Sequence, residues 1–268
     1  MMRIRNFSCK KEMAVAMLSV HHRFEGAYRI TLGMPADEGT TQMDSPQGRR
    51  LTADASGDQG AADEDAELFW ERHYRTRRSW VARVNPLLAE TAAPLRPGAA
   101  LDLGCGAGGD AIWLARRGWH VTAVDISTTA VERVRERARD LGVADRVATE
   151  QHDLARSFPA GKFDLVSAQY FHTPFPLLRS RVLRSAARAL SPGGLLLIVD
   201  HGSTAPWSWN QDPDVHHPTP TEIAAELDLD PARWPVLRAD MPRRRATGPA
   251  GETATVIDNI LLIQRTAG

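Results

Sequence analysis

Apolar and polar positions alternate in two periods along most of the chain after residue 66. Short apolar runs, which predict buried strands, are followed by segments with apolar residues at every third or fourth position, which predict helices. The predicted strands are 99–103, 119–125, 146–153, 163–170 and 194–202, and the helices among them are 109–118, 127–142 and 176–190. Because strands that alternate with helices are joined by right-handed crossovers, the pattern predicts a doubly wound α/β sheet.

The carboxyl-terminal part of the chain follows a different pattern. After a predicted helix over 219–228, two apolar strands at 234–240 and 255–266 are separated only by 241–253, which has no regular period. We therefore expect a loop at 241–253 and a hairpin around it. A hairpin at the end of a parallel sheet places one strand antiparallel to the others.

The amino-terminal part is expected to contribute little to the core. Residues 33–65 consist mainly of Gly, Asp, Thr, Ser and Pro, a composition with almost nothing to bury. Residues 66–84 then show helical spacing, which should stop before Pro86. We predict a poorly structured, disordered N-terminal extension and linker over 1–66 and one folded domain over 67–268.

Composition and charge exclude several classes of protein. The 268 residues are 43% apolar with a formal net charge of zero, so one well-buried domain is expected and nothing global attracts nucleic acid or a membrane. The run Arg243–Arg245 is expected to be a solvated face or loop. Cys9 and Cys105 are too few for a disulfide framework, and no apolar run is long enough to span a bilayer. A cytoplasmic protein is expected, and a natural start at Met43 or an earlier methionine stays open.

A glycine-rich turn follows the first predicted strand in the sequence LDLGCGAGGD, residues 101–110. Its glycines satisfy G-x-G-x-x-G, which lets the backbone approach a ligand and exposes the amides of the next helix. A dinucleotide would place its pyrophosphate there, where Asp102 would repel it. S-adenosylmethionine instead offers an ammonium that Asp102 can bind, while the helix amides receive its carboxylate. The turn therefore favours S-adenosylmethionine.

Polar side chains also stand at the ends of the next three strands. Asp125 ends the second strand and can accept two ribose hydroxyls, which disfavours NADP but not NAD. Asp153 ends the third strand and can accept the exocyclic amine of adenine, with Ile126 and Leu154 as apolar plates for the ring. Gln169 ends the fourth strand. Because the carboxyl ends of parallel strands share one edge of a sheet, these groups predict a single ligand crevice.

The sequence resembles the class I S-adenosylmethionine-dependent methyltransferases over roughly 67–268. The segments LDLGCGAGGDAIWLARRGWHVTAVDIS, FDLVSAQYFH and LSPGGLLLIVDH carry the resemblance. It implies a Rossmann-like seven-stranded sheet of order 3-2-1-4-5-7-6 with an antiparallel seventh strand, and in-line methyl transfer to a small molecule. The segments WERHYRTRRSW and GDAIWLA are similar to small-molecule methyltransferases of the tellurite-resistance and thiopurine type.

The resemblance also implies where the cofactor is held. Asp102, Gly104, Cys105 and Gly106 are implied around the methionine moiety, Asp125 at the ribose, Asp153 and Leu154 at the adenine, and Gln169 near the sulfonium. Gly108 belongs to the same turn, and it and Gly109 have close helix packing as an alternative role. Cys105 is expected to be a small apolar filler rather than a nucleophile.

The acceptor side is predicted from aromatic residues and histidines. The candidate lid and substrate residues are Trp70, Tyr74, Trp207 and Trp209. The alternative for Trp70 and Tyr74 is that they only pack their helix against the domain. Trp207 and Trp209 indicate an apolar or planar substrate. His172 and His201 follow the fourth and fifth strands and are candidate catalytic bases. A thiol, selenol or tellurium oxyanion needs no base, but an oxygen or neutral nitrogen acceptor gives one of them a role.

The sequence also bears on other partners and functions. The D/N-P-P-Y tetrapeptide of DNA amino-methylating enzymes is absent, so nucleic acid is not expected as substrate. The doublets His21-His22 and His216-His217 lack a third ligand, and no metal site is predicted. An NAD-linked oxidoreductase and a non-catalytic S-adenosylmethionine-binding regulator stay open. The pattern predicts neither the identity of the acceptor nor the oligomeric state.

Overall fold

The fold is built on one twisted sheet flanked by helices. The computed structural model describes residues 65–76, 82–173, 175, 177–208, 211–248 and 251–267. The strands are β1 (Ala99–Leu103), β2 (His120–Asp125), β3 (Val147–Gln151), β4 (Phe163–Gln169), β5 (Leu190–His201), β6 (Val236–Asp240), β7 (Arg243–Thr247) and β8 (Thr253–Gln264). The helices are α1 (Ala66–Thr76), α2 (Pro86–Ala92), α3 (Gly109–Arg116), α4 (Thr128–Asp140), α5 (Arg179–Ala189) and α6 (Pro220–Leu227), with one 3-10 turn at Ala144–Arg146.

The strand order is β3-β2-β1-β4-β5-β8-β6. The first five strands run parallel, and β8 is antiparallel to both of its neighbours, β5 and β6. This arrangement confirms the predicted doubly wound sheet with its antiparallel strand near one edge. The carboxyl ends of β1, β2 and β4 lie side by side as a result, which forms the crevice expected of such sheets.

The prediction of a loop over 241–253 was wrong, because Arg243–Thr247 forms β7. Strand β8 is twelve residues long, which is enough for its two halves to pair with different strands. Residues 258–264 pair with β5, while residues 253–257 continue beyond that pairing and pair with β7. The arginine run therefore lies on a strand, where its middle residue, Arg244, is half-buried. We call β7 and residues 253–257 the arm.

The region before β1 also differs from its prediction. The helix expected over 66–84 is α1 up to Thr76, residues 77–81 lie outside the described residues, and 82–85 is not helical. A second helix, α2, begins at Pro86, whose missing amide is no loss in the first turn of a helix. The side chain of Asn85 accepts a hydrogen bond from the Leu87 amide and caps this helix. The extension predicted over 1–66 lies outside the described residues up to residue 64 and stays a prediction.

Two apolar cores cover the two faces of the sheet. Ala100, Leu165 and Leu197 belong to the core packed against α2, α3 and α4, whereas Leu101 and Val166 belong to the core on the opposite side. Adjacent residues of a strand thus point to opposite faces, as the pleat requires, and both faces are buried. Within the described part of the chain, no helix is long and apolar enough to cross a membrane.

Candidate functional site

The glycine-rich turn connects β1 to α3 at the carboxyl edge of the sheet. Gly106 has φ +50°, a left-handed conformation, and a Cβ there would lie only 3.1 Å from the Tyr74 hydroxyl. Gly108 has φ +77°, and a Cβ there would lie 2.6 Å from a methyl group of Val134 in α4. Gly108 thus packs closely against α4, which is the alternative role considered for it, and its contact with a cofactor stays a prediction.

Asp102 lies on β1 just before this turn and is almost completely buried. Its Oδ2 has no hydrogen-bond partner among the described residues. Burial, together with the charges of Asp110 and Asp125, raises the pKa of Asp102 well above its ordinary value. A cation would stabilise a buried carboxyl group with such a raised pKa. Its positive charge would favour the ionised form, and it would give the free oxygen a partner.

Asp125 ends β2 and is buried beside the same turn. Its Oδ2 accepts a hydrogen bond from the Gly106 amide and its Oδ1 accepts one from the Ser127 amide, both at 3.0 Å. Burial raises the pKa of Asp125 to about 6 in spite of these bonds, so the carboxylate is mostly ionised at neutral pH. Each oxygen has further acceptor capacity, which suits a pair of ribose hydroxyls.

The residues predicted at the adenine are already engaged in local contacts. Asp153 accepts a hydrogen bond from the Ala155 amide at 2.9 Å and forms an ion pair with Arg156 at 3.2 Å. Leu154 packs partly buried against the core, and the carbonyl of Ile126 accepts a bond from the Gln151 side chain. The structure thus places all three at the ends of β2 and β3, and their contact with a purine ring stays a prediction.

Gln169 and Cys105 complete the predicted cofactor side. The Gln169 amide nitrogen donates to the Ser167 hydroxyl at 2.8 Å, and its buried Oε1 has no partner among the described residues. This oxygen is a free acceptor at the end of β4. Cys105 is buried in the turn, and burial raises the pKa of its thiol well above the ordinary value. A neutral, buried thiol agrees with the filler role predicted for Cys105.

Helix α1 lies over the glycine-rich turn. Trp70 donates from its indole nitrogen to the Thr173 hydroxyl after β4, at a distance of 3.4 Å, and its ring is stacked 6.2 Å from that of Tyr74. Tyr74 is buried with its hydroxyl beside Gly106. The two aromatic residues thus lie beside the segments that follow β1 and β4, and their role as a lid stays a prediction.

Sequence reasoning missed Glu71, which fastens α1 to the start of α4. Its carboxylate accepts hydrogen bonds from the Ser127 hydroxyl at 2.6 Å and from the Thr129 amide at 3.0 Å. Although burial opposes the charge, these bonds lower the pKa of Glu71 to about 2. The sequence carried one signal: α4 has no acidic residue in its first turn, so its free amides lacked a local anion.

His172 lies after β4 and is held by a buried carboxylate. Its Nε2 lies 3.0 Å from Oδ1 of Asp200, and Arg179 of α5 donates to both oxygens of Asp200 at 2.6 and 2.8 Å. Burial works against the charge of Asp200, but the contacts with His172 and Arg179 bring its pKa to about 2. An Nε2–H that donates to Asp200 leaves Nδ1 of His172 as the acceptor nitrogen.

His201, at the end of β5, has a second set of neighbours. Its ring is stacked on Tyr170, with 4.2 Å between centroids. Tyr170 has φ +49°, which is rare for an aromatic residue, and its hydroxyl donates to Asp258 of β8 at 3.1 Å. Arg244 of the arm binds both oxygens of Asp258. A strained backbone thus directs the Tyr170 ring onto His201 and links it to the arm.

The structure describes only one of the two tryptophans that were predicted at the substrate. Trp207 is buried in a small apolar cluster with Ala205, Ala246 and Val256, where it fills the space between the arm and the segment after β5. Trp209 lies outside the described residues. Contact of either ring with a substrate stays a prediction.

The fold and the crevice together define a class of protein. A parallel sheet with one antiparallel strand at this position, and a D-x-G-x-G turn followed by an acid at the end of β2, are the features of class I S-adenosylmethionine-dependent methyltransferases. Residues 100–194 match the family model described as a methyltransferase domain. This part of the chain is therefore similar to the methyltransferase domains of that class.

Comparison with known proteins gives partial matches. The chain is 38% identical over 137 residues to 27-O-demethylrifamycin SV methyltransferase of Amycolatopsis mediterranei, which covers 49% of each chain. A solved structure from work on the conversion of a disulfide bond into a thioacetal group during echinomycin biosynthesis is 26% identical, with a TM-score of 0.59 over 76% of this chain and 94% of that one. TehB from Haemophilus influenzae shares the fold at 17% identity and a TM-score of 0.53, over 73% of this chain and 67% of that one. The chain spans half or less of the length of the first curated relatives that it matches.

Proposed function

We propose that this protein transfers the methyl group of S-adenosylmethionine to a small-molecule acceptor. The observation that carries the proposal is the buried Oδ2 of Asp102 beside the glycine-rich turn, which has no hydrogen-bond partner among the described residues. A pyrophosphate would meet repulsion there, whereas the ammonium of S-adenosylmethionine would supply the missing partner. Asp125 would accept the ribose hydroxyls, and the free Oε1 of Gln169 would lie toward the sulfonium.

The residues of this chain would mainly bind, orient and exclude water. When bound, S-adenosylmethionine supplies a methyl group that its sulfonium has already activated. The protein must then hold the acceptor atom in line, about 3–3.5 Å from the methyl carbon. Trp70 and Tyr74 of α1 would close the crevice over the cofactor, since they already contact the segments after β1 and β4.

The acceptor atom is the finer part of the proposal. The contact of His172 with Asp200 favours an oxygen or nitrogen acceptor, because a positioned imidazole can remove its proton. The sulfur chemistry named for the echinomycin-related structure and the resemblance to the tellurite-resistance and thiopurine type favour a soft acceptor, which needs no base. His172 therefore distinguishes the two classes.

The test is a screen for S-adenosylhomocysteine release with thiols, selenite, tellurite and small phenols, repeated with His172→Ala. With a soft acceptor, the turnover of His172→Ala should fall by less than about tenfold, since positioned acid–base help is typically worth 10²–10⁴ where it is used. A larger loss with cofactor affinity intact assigns His172 as a base. His120→Ala is the matched control, because His120 is exposed at the opposite end of β2.

Two outcomes would contradict the proposal. Tight binding of NAD without binding of S-adenosylmethionine would identify an oxidoreductase. Binding of S-adenosylmethionine without a methylated product from any acceptor would support a regulator instead.

A further inference from the structure

A second concave surface lies outside the methyl-transfer site, between α3, α4 and residues 82–85. This cleft has a volume of about 480 Å³, within the range of small-molecule sites. Its lining combines apolar and cationic side chains, including Val84, Trp113, Arg116, Arg117, Arg137 and Leu141. No carboxylate lines it among the described residues. We call it the arginine cleft.

The three arginines of the cleft, Arg116, Arg117 and Arg137, form no ion pair within the described part of the chain, where none of their guanidinium groups lies within 4.0 Å of a carboxylate. Arg117 instead lies 4.1 Å from the ring centroid of Trp113, and Arg137 donates to the carbonyl of Ala82 at 3.0 Å. Like charges that line one concave surface reinforce each other's potential, because its walls exclude part of the screening water. The cleft is therefore a region of uncompensated positive charge.

We propose that the arginine cleft binds a small multivalent anion that carries phosphate groups. Guanidinium groups form paired hydrogen bonds with phosphate oxygens, and three of them can neutralise more than one phosphate. Val84, Trp113 and Leu141 form the apolar part of the lining, so the cleft is a half-open concavity rather than a flat surface. None of its arginines belongs to the glycine-rich turn or to the strand ends, although Gly109 at the end of that turn also lines the cleft.

The position of the cleft gives a bound anion a structural effect. Residues 82–85 form one wall and lie against the first turn of α3, where the Asn85 amide donates to Asp110 at 2.6 Å and the Arg83 carbonyl leaves no room for a side chain at Gly109. The same segment follows α1 in the chain. An anion between this wall and the arginines would hold residues 82–85 in place, so its binding should stabilise the folded chain.

The test is calorimetric titration of the full chain with inorganic tripolyphosphate at low ionic strength. We expect one site per chain and a rise in melting temperature on binding. Arg116→Gln and Arg117→Gln should each weaken binding by about tenfold, because each removes one charge-assisted contact. Both side chains are exposed, so the variants should fold. Arg139→Gln is the matched control, since it removes the same charge from the exposed side of α4 without lining the cleft.

Three results would overturn the proposal. The first is no binding of tripolyphosphate by the parent chain. The second is an equal loss of affinity in Arg139→Gln, which would show only nonspecific screening of surface charge. The third is binding of a single-stranded oligonucleotide that tripolyphosphate does not displace, which would identify a nucleic-acid surface instead of a small-anion site.

Discussion

At the residue scale, the two buried aspartates at the ends of β1 and β2 differ in what already surrounds them. Asp125 accepts two backbone amides and is fixed before any ligand arrives. Asp102 has one carboxylate oxygen without a partner in the described part of the chain, and burial raises its pKa well above the ordinary value. Asp125 is therefore suited to bind neutral hydroxyls, whereas Asp102 is suited to bind a cation.

This difference predicts which ligands each substitution affects. Asp125→Ala should weaken S-adenosylmethionine, S-adenosylhomocysteine and adenosine alike, by about one to two orders of magnitude, because all three carry the ribose. Asp102→Asn should weaken the first two and leave adenosine almost unchanged, because adenosine lacks the ammonium. Calorimetric titration of both variants with the three ligands measures the pattern, with Asp140→Asn on the exposed end of α4 as control. An Asp102→Asn variant that gains NAD binding would refute the assignment.

The site residues that could be predicted from the sequence lie in local motifs, whereas those that were missed do not. Asp102 and Asp125 follow from the spacing of a local motif and from the ends of apolar strands. Glu71 and Asp200 do not, because their partners are far along the chain and only the fold brings them together. Pattern reasoning finds which groups stand at the crevice, but it does not find which distant groups hold them there.

At the element scale, α1 depends on one carboxylate for its attachment to α4. Glu71→Gln should loosen α1, since a neutral amide replaces a carboxylate whose pKa of about 2 reflects strong hydrogen bonding. We expect faster hydrogen exchange in residues 66–76. Cofactor binding should be about tenfold weaker, because binding must then also order α1, which the bonds of Glu71 hold in place in the parent chain. Glu132→Gln, exposed on α4, should change neither. Unchanged exchange in Glu71→Gln would mean that the aromatic contacts alone hold α1.

The ion pair between Arg244 and Asp258, which is mostly buried, attaches β7 of the arm to β8. Arg244→Gln should destabilise the chain by about 1.5–3 kcal/mol, because it leaves the buried carboxylate of Asp258 without its charged partner. The matched change Arg243→Gln, on the exposed side of β7, should cost less than about 0.5 kcal/mol. Denaturant unfolding of the two variants measures the difference, and equal losses would show that the position of Arg244 is not special.

The arm also shows why the predicted loop was wrong. The residues of β7 are RRRAT, which lack the apolar alternation that marks a strand. The strand forms because β8 extends beyond its pairing with β5 and offers free backbone groups, and because Arg244 reaches Asp258. Both causes are tertiary contacts, which the local sequence of β7 does not reveal. The parallel strands β1, β2, β4 and β5, which are apolar on both faces, were predictable for the opposite reason.

At the scale of the whole molecule, a net charge of zero conceals an uneven distribution. Acids with raised pKa values lie at the carboxyl edge of the sheet, where loss of hydration raises the pKa of the partly buried Asp110 to about 7 and that of the buried Asp125 to about 6. Glu71 and Asp200 have pKa values lowered to about 2 by their partners. The ligand-free protein therefore contains two groups of acids with opposite effects on stability.

These opposite shifts predict a maximum of stability on the acid side of neutrality. For Asp110 and Asp125 the folded state binds protons more tightly than the unfolded state, whose carboxyl pKa is 3.8, so stability rises as pH falls from about 7 to 5. Glu71 and Asp200 hold protons less tightly when folded, so their contribution is lost as pH falls below about 5 toward 2. The melting temperature of the ligand-free chain should therefore peak near about pH 5, a few degrees above its value at pH 8.

Asp110→Asn tests the cause of that rise. An amide oxygen can still accept the Asn85 amide, but the position no longer titrates, so the increase in melting temperature between pH 8 and 5 should shrink. Asp140→Asn, exposed at the end of α4, should retain the parental profile. Saturating S-adenosylmethionine should flatten the rise as well, because its ammonium beside Asp102 favours the ionised form of the neighbouring carboxyl groups. A ligand-free melting temperature that increases steadily from pH 5 to 8 would show that the buried acids do not govern the stability of the crevice.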